Sequence, residues 1–172
     1  MKKIIAIAMF AGALALTGCS ATTSVPETTQ SSADQKMSGV LIENGWVRVS
    51  EYSDHVGGMT GVFATITNNT DADITLVGGA SDIAPMVEVH EVVKSGGEMK
   101  MQRKEGGIVI AAGSSVTLEP GGLHVMLMDL KKPILDGDEI TVTLDFDGAP
   151  SQTLTLPAKT SASGDETYKP NK

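Results

Sequence analysis

The sequence predicts an all-β domain, a two-sheet antiparallel β-sandwich, on three observations. Short runs rich in Val, Ile, Thr and Leu alternate with period two. Gly, Asn, Asp and Pro interrupt these runs about every eight to twelve residues, and no segment carries a helical period. Strands are expected over 42–50, 61–68, 74–78, 86–93, 100–103, 108–110, 115–118, 123–130, 139–146 and 153–156, with Asp147-Gly148 as a hairpin turn.

The ends of the chain read differently. Lys2 and Lys3 precede an apolar run that is short for a membrane span, and Leu16-Thr17-Gly18-Cys19 follows, as in a bacterial lipobox. Residues 1–18 are therefore expected to be a lipoprotein signal peptide. Cys19 would become the lipidated first residue of the mature protein, anchoring it to a membrane by acyl chains rather than by a helix. Residues 19–36 are Ser/Thr-rich and read as a flexible tether, with an r.m.s. span of roughly 20–25 Å. The domain is expected over 37–157, and 158–172 as a disordered polar tail. This places the protein in the cell envelope, with its domain facing the periplasm or the cell exterior.

Composition removes several classes of function. Taking Lys2 and Lys3 from 13 basic residues leaves 11 against 21 acidic ones, a mature charge of about −10, so nucleic acid is not an expected partner. Cys19 is the sole cysteine, which excludes an internal disulfide, a thiolate metal ligand or a redox pair. Without a cysteine nucleophile or a Ser-containing elbow, and with three His, the chain is not expected to be an enzyme. The Gly pairs at 106–107 and 121–122 flank strands without a following helix and read as turns rather than phosphate cradles.

The stretch GGLHVMLMDL, residues 121–130, raises a sharper question. Leu123, Val125 and Leu127 make one apolar face of a strand, while His124, Met126 and Met128 project the other way. In VEVHEVV, Val87, Val89 and Val93 share a face, with His90 opposite beside Met86, Glu88 and Val92. In EMKMQR, Met99 and Met101 share a face among charged residues. Met-rich strands can be plastic core packing. Read as ligands, two imidazoles and at least two thioethers, with no carboxylate evidently inserted, suit a soft monovalent ion, above all Cu(I). Zinc would require thiolates or more imidazoles, and Asp136–Glu139 lacks the spacing of an EF-hand. With no thiolate, a blue-copper or binuclear electron-transfer centre cannot form, so copper would be carried rather than used.

These residues resemble the periplasmic copper chaperone family PCuAC, associated with assembly of the CuA centre of cytochrome oxidase. The pattern of that family is His, ten residues, Met, a little over twenty residues, then His-x-Met. His90, Met101, His124 and Met126 satisfy it, with Glu91–Lys100 in the first interval and Gln102–Leu123, one residue longer than the usual form, in the second. GEMKMQ, GGIVIAAGSSVTLEPGGLHVMLMDLKKPI and GDEITVTLDF extend the likeness over about 42–157.

The resemblance implies a cupredoxin-like β-sandwich that binds one Cu(I) near its surface through those four side chains. It would pass the ion to a transient acceptor protein, such as the oxidase CuA subunit or another copper chaperone. Met99 and Met128 are adjacent candidates that the spacing does not choose, and read as packing or rim residues. His55 and Met59 are expected in a Gly-containing loop. The tail carries neither His nor Met, unlike members of the family with a cupric extension. Two alternatives stand beside delivery: a copper-buffering lipoprotein, and a structural envelope lipoprotein without metal.

Overall fold

Alternation at period two builds ten consecutive strands across the domain, followed by a two-residue strand near the C-terminus. The structure, a computed structural model, describes residues 39–50, 58–161 and 167–168, all within one unit, Lys36–Lys172. The leader, Cys19, the tether and His55 lie outside the described residues.

The strands are β1 (Val40–Arg48), β2 (Gly58–Asn68), β3 (Ile74–Ala80), β4 (Met86–Ser95), β5 (Glu98–Arg103), β6 (Ile108–Ile110), β7 (Ser115–Leu118), β8 (His124–Leu130), β9 (Glu139–Asp147), β10 (Gln152–Lys159) and β11 (Thr167–Tyr168). Their hydrogen-bonded order is β11-β5-β4-β8-β2-β1-β10-β9-β3-β6, with β7 following β8 along the same edge of β2. One layer is β5-β4-β8-β2-β1 and the other β10-β9-β3-β6. They are joined where Val47 and Arg48 pair with Ala158 and Lys159.

Side chains from the two inner faces make one core. Val62, Ile66, Val89, Val125 and Leu127 meet Ile74, Leu76, Ile110, Val142 and Leu144, all buried. At about 25 cal/mol per Å² of apolar surface withdrawn from water, this layer is the main stabilising term. Gly79 is required where β3 meets β9, since a Cβ there would collide with the Thr143 carbonyl of the same layer and also touch Val87 of the facing one. The expected two-sheet sandwich is therefore present, in the arrangement that the cupredoxin-like expectation describes.

Three differences from the sequence-based reading have physical causes. β2 starts at Gly58, so Met59 stands on a strand rather than in a loop. Pairing is not wholly antiparallel, since β1 with β10 and β5 with β11 run parallel. Residues 167–168, within the tail expected to be disordered, pair with Lys100 and Met101 of β5, whose outer edge otherwise presents open backbone donors and acceptors.

Two bulges interrupt the sheet that carries the His and Met residues. In β1 the register slips between Glu43 and Trp46, with Asn44 at φ 55°. In β8 it slips opposite Met59, with Asp129 at φ 55°. An extra residue in αL conformation reverses the alternation, so Asp129 is exposed and Leu130 returns to the core.

Candidate metal centre

The outer face of the β5-β4-β8-β2 layer carries the site. On β8 the inner face holds Val125 and Leu127 in the core, which forces His124, Met126 and Met128 outward together. The same logic on β4 turns Val87 and Val89 inward and His90 and Val92 outward. Register aligns His90 with His124 and Glu88 with Met126. It sets Met101 of β5 against Val92 of β4.

The face is covered rather than open. His90 is 0% exposed, His124 3%, Met126 4% and Met101 5%, so the four side chains of the expected site are themselves buried on this outer face. The cover is aromatic. Phe63, on the same face of β2, packs on Trp46 with ring centroids 4.5 Å apart and lies 6.2 Å from the His124 ring. The Arg48 guanidinium sits over the Phe63 ring, 5.3 Å from its centroid, a cation–π contact. Gly61, paired with Met126, makes room, because a Cβ there would meet the Phe63 ring at 2.6 Å.

Beneath this cover is a cavity of about 160 Å³, lined in part by Met59, Phe63, Met101, His124 and Met126. The His124 Nε2 lies 2.9 Å from the Met101 Sδ, while its Nδ1 is 3.1 Å from the Gly122 carbonyl. A carbonyl only accepts, so Nδ1–H donates to Gly122 and Nε2 keeps its lone pair toward the sulfur. Burial lowers the His124 pKa from 6.5 to about 4, with His90 and Arg48 adding to the effect and the Gly122 bond opposing it. At neutral pH this ring is uncharged and carries a lone pair directed into the cavity.

His90 is placed differently. Its ring centroid is 5.8 Å from that of His124, yet it does not line the cavity, and its Nε2 is 3.1 Å from Glu88 Oε2. Arg103 in turn lies 3.5 Å from the other Glu88 oxygen. A carboxylate thus does enter the constellation, as the partner of His90, contrary to the reading of the sequence. Period two places Glu88 on the His90 face of β4; the hydrogen bond between them is what the sequence does not show.

Met101, Met126 and Met128 form a separate buried sulfur cluster, with Met59 and Val92 packed against it. Met128 is therefore in contact with this cluster, whereas Met99, at the hairpin end of β5, is 52% exposed. Met59 lines the cavity itself. Among the described residues there is no group of three or more His, Cys, Asp and Glu side chains placed to hold a metal ion. The donors that converge are soft and neutral.

Comparison with known proteins agrees with this architecture. The family described as "Putative lipoprotein LpqE-like" matches residues 40–158. A protein of Leifsonia xyli subsp. xyli, "Putative lipoprotein Lxx21020", is 35% identical over 156 residues, covering 91% of this chain and 89% of that one. Among solved structures, the copper-bound PCuAC domain from PmoF2 aligns with a TM-score of 0.57 at 24% identity, covering 71% of this chain and 93% of that domain. The solution structure of CuI-DR1885 from Deinococcus radiodurans aligns with a TM-score of 0.56 at 26% identity, covering 78% of this chain and 87% of that one. By the match over residues 40–158 and the near full-length likeness to the Leifsonia protein, the chain belongs to the LpqE-like lipoprotein family, which is of the PCuAC type.

Proposed function

We infer that this protein is a lipid-anchored envelope copper chaperone. It binds one Cu(I) through His90, Met101, His124 and Met126, and gives it up to a recipient such as the CuA centre of cytochrome oxidase. The observation that carries this reading is the contact of His124 Nε2 with Met101 Sδ beside Met126, at the wall of one cavity whose donors are thioethers and an imidazole. Placing charge in a low-dielectric site costs more for a divalent than for a monovalent ion. Thioethers and a neutral imidazole cannot offset that cost for a hard divalent cation, whereas they match the softness of Cu(I). His90 would join by turning from Glu88, or by binding with that hydrogen bond retained, which orients the ring.

The likeness to a copper-bound PCuAC domain and to CuI-DR1885 supports the choice of ion. The family description and the name of the Leifsonia protein support the lipid anchor, with Cys19 as the modified residue. The protein acts by binding and exchange rather than by catalysis. Burial of all four side chains also favours a second reading, in which the protein holds copper as a buffer without delivering it. A deletion strain with normal oxidase assembly but raised copper sensitivity would select the buffer.

Competition with a chromogenic Cu(I) chelator tests the site. Uptake of one equivalent by the full chain is expected, with joint Met101→Leu and Met126→Leu substitution weakening it by about a hundredfold or more, some 2.7 kcal/mol. Unchanged uptake in the double variant would remove the assignment. Copper transfer from the loaded protein to isolated oxidase CuA domains tests delivery, and failure toward every domain tried would leave only the buffer.

A further inference from the structure

Beside Met101, His124 and Met126, the cavity has a further soft donor that the four-residue pattern does not include. Among the described residues that line it beyond Met101, His124 and Met126, Met59 alone offers one. Arg48 is cationic, Val49 and Phe63 are hydrocarbon, and the hydroxyl of Thr60 is a hard donor already directed to the Arg48 carbonyl at 2.6 Å. Met59 packs against the Met101, Met126 and Met128 cluster yet is half-buried, whereas those three are 5%, 4% and 9% exposed. It is thus the thioether on the solvent side of the sulfur cluster.

Its position is fixed by the backbone. Ser50 Oγ donates to the Met59 carbonyl at 3.2 Å. Across from it, the bulge of β8 interrupts the ladder, leaving Met59 opposite Met128 and Asp129. The side chain itself is unbranched and flexible, so its sulfur can sweep between the cavity and its opening.

A buried cuprous ion that leaves by ligand exchange needs an incoming soft donor before a resident one lets go; the alternative is a bare ion in a low-dielectric cavity, which is costly. Resting on the copper reading above, we propose that Met59 is this exchange ligand. Its thioether binds Cu(I) in passage between solvent or an acceptor and the inner set, and is not one of the ligands retained at equilibrium. No bond to carbon or change of oxidation state is involved; one Cu–S bond forms as another copper–ligand bond breaks.

A residue that acts only in passage stabilises the barrier and not the end state, so it must speed loading and unloading by the same factor. The test uses the full chain in detergent with Cu(I) under anaerobic conditions. Stopped-flow transfer to a chromogenic chelator is compared for wild type, Met59→Leu and the exposed control Met99→Leu. Met59→Leu conserves volume, which keeps packing costs low. Loading and unloading are each expected to slow by about tenfold, with affinity changed by less than about threefold, and Met99→Leu to leave all three unchanged. Rates within about twofold of wild type would overturn the proposal. So would an affinity loss as large as that of Met101→Leu, which would make Met59 a retained ligand.

A second measurement is independent of the variant's folding. In wild type labelled at the methionine ε-methyl carbons, substoichiometric Cu(I) is expected to broaden the Met59 resonance by exchange, and an unperturbed Met59 line would contradict the role. Failure of the copper reading looks different, since wild type itself would then take up no Cu(I), and the Met59 role would fall with it.

Discussion

His124 and Met101 touch, Nε2 to Sδ at 2.9 Å, although β4 lies between their strands in the sheet. The contact forms because β4 pairs with both neighbours, bringing His90 level with His124 and Val92 level with Met101 on one face. His124 is buried here, near His90 and Arg48, and burial first of all makes a proton on it poorly tolerated.

Stability therefore depends on pH. The folded pKa of His124 is lowered from 6.5 to about 4, so between these values the unfolded chain binds a proton that the folded chain refuses. The contribution is intact above pH 6.5 and is lost as pH falls toward 4, by up to about 3 kcal/mol. Urea unfolding of the apo protein at several pH values, compared with His124→Gln, is expected to show a shallower pH slope in the variant over this window. Equal slopes would contradict the burial argument.

The cavity depends on a missing side chain. Gly61→Ala places a methyl group 2.6 Å from the Phe63 Cζ, so the ring must move from its place beside His124. Because the obstacle is the end of a side chain, the fold is expected to survive, with a loss of about 1–2 kcal/mol. Near-ultraviolet circular dichroism should change, reporting the disturbed packing of Phe63 on Trp46. An unchanged aromatic spectrum would count against this arrangement.

Gly79→Ala is expected to do more harm. There the added Cβ meets the backbone carbonyl of Thr143, which no rotamer change can relieve. Denaturant unfolding should show a loss of at least about 2 kcal/mol, or failure to fold. A loss below about 0.5 kcal/mol would mean that β3 and β9 are further apart at this point than the structure has them.

Asn68 ties the far end of the sandwich. It is 0% exposed, and its Nδ2 donates to the carbonyls of Ala72 at 2.8 Å and Ile110 at 2.9 Å. Its Oδ1 accepts from the Thr70 amide at 3.0 Å and the Thr70 hydroxyl at 2.6 Å. Asn68→Ala leaves buried groups without partners and is expected to cost about 2–3 kcal/mol in thermal or urea unfolding, without altering Cu(I) uptake. A change in uptake would show coupling between the two ends.

Much of the fold was legible in the sequence because strand periodicity is a local property. The alternation in HVMLMDL assigned the faces of β8 correctly, and VEVHEVV did the same for β4. What escaped was non-local. That His90 would turn toward Glu88 depends on side-chain rotation within one face, and the cover of Phe63, Trp46 and Arg48 depends on pairing between β1 and β2. That cover contributes to the burial of His124, and periodicity does not encode it. The two adjacent glycines before Met59 read as a loop, yet Gly58 already pairs with Leu130 as the first residue of β2.

X-ray absorption at the copper edge of the Cu(I)-loaded full chain tests the central claim most directly. The account predicts a four-coordinate cuprous ion with two nitrogen and two sulfur scatterers, the sulfur shell being lost in the joint Met101→Leu and Met126→Leu variant. A copper shell of nitrogen and oxygen alone, or a sulfur shell that survives both substitutions, would contradict it.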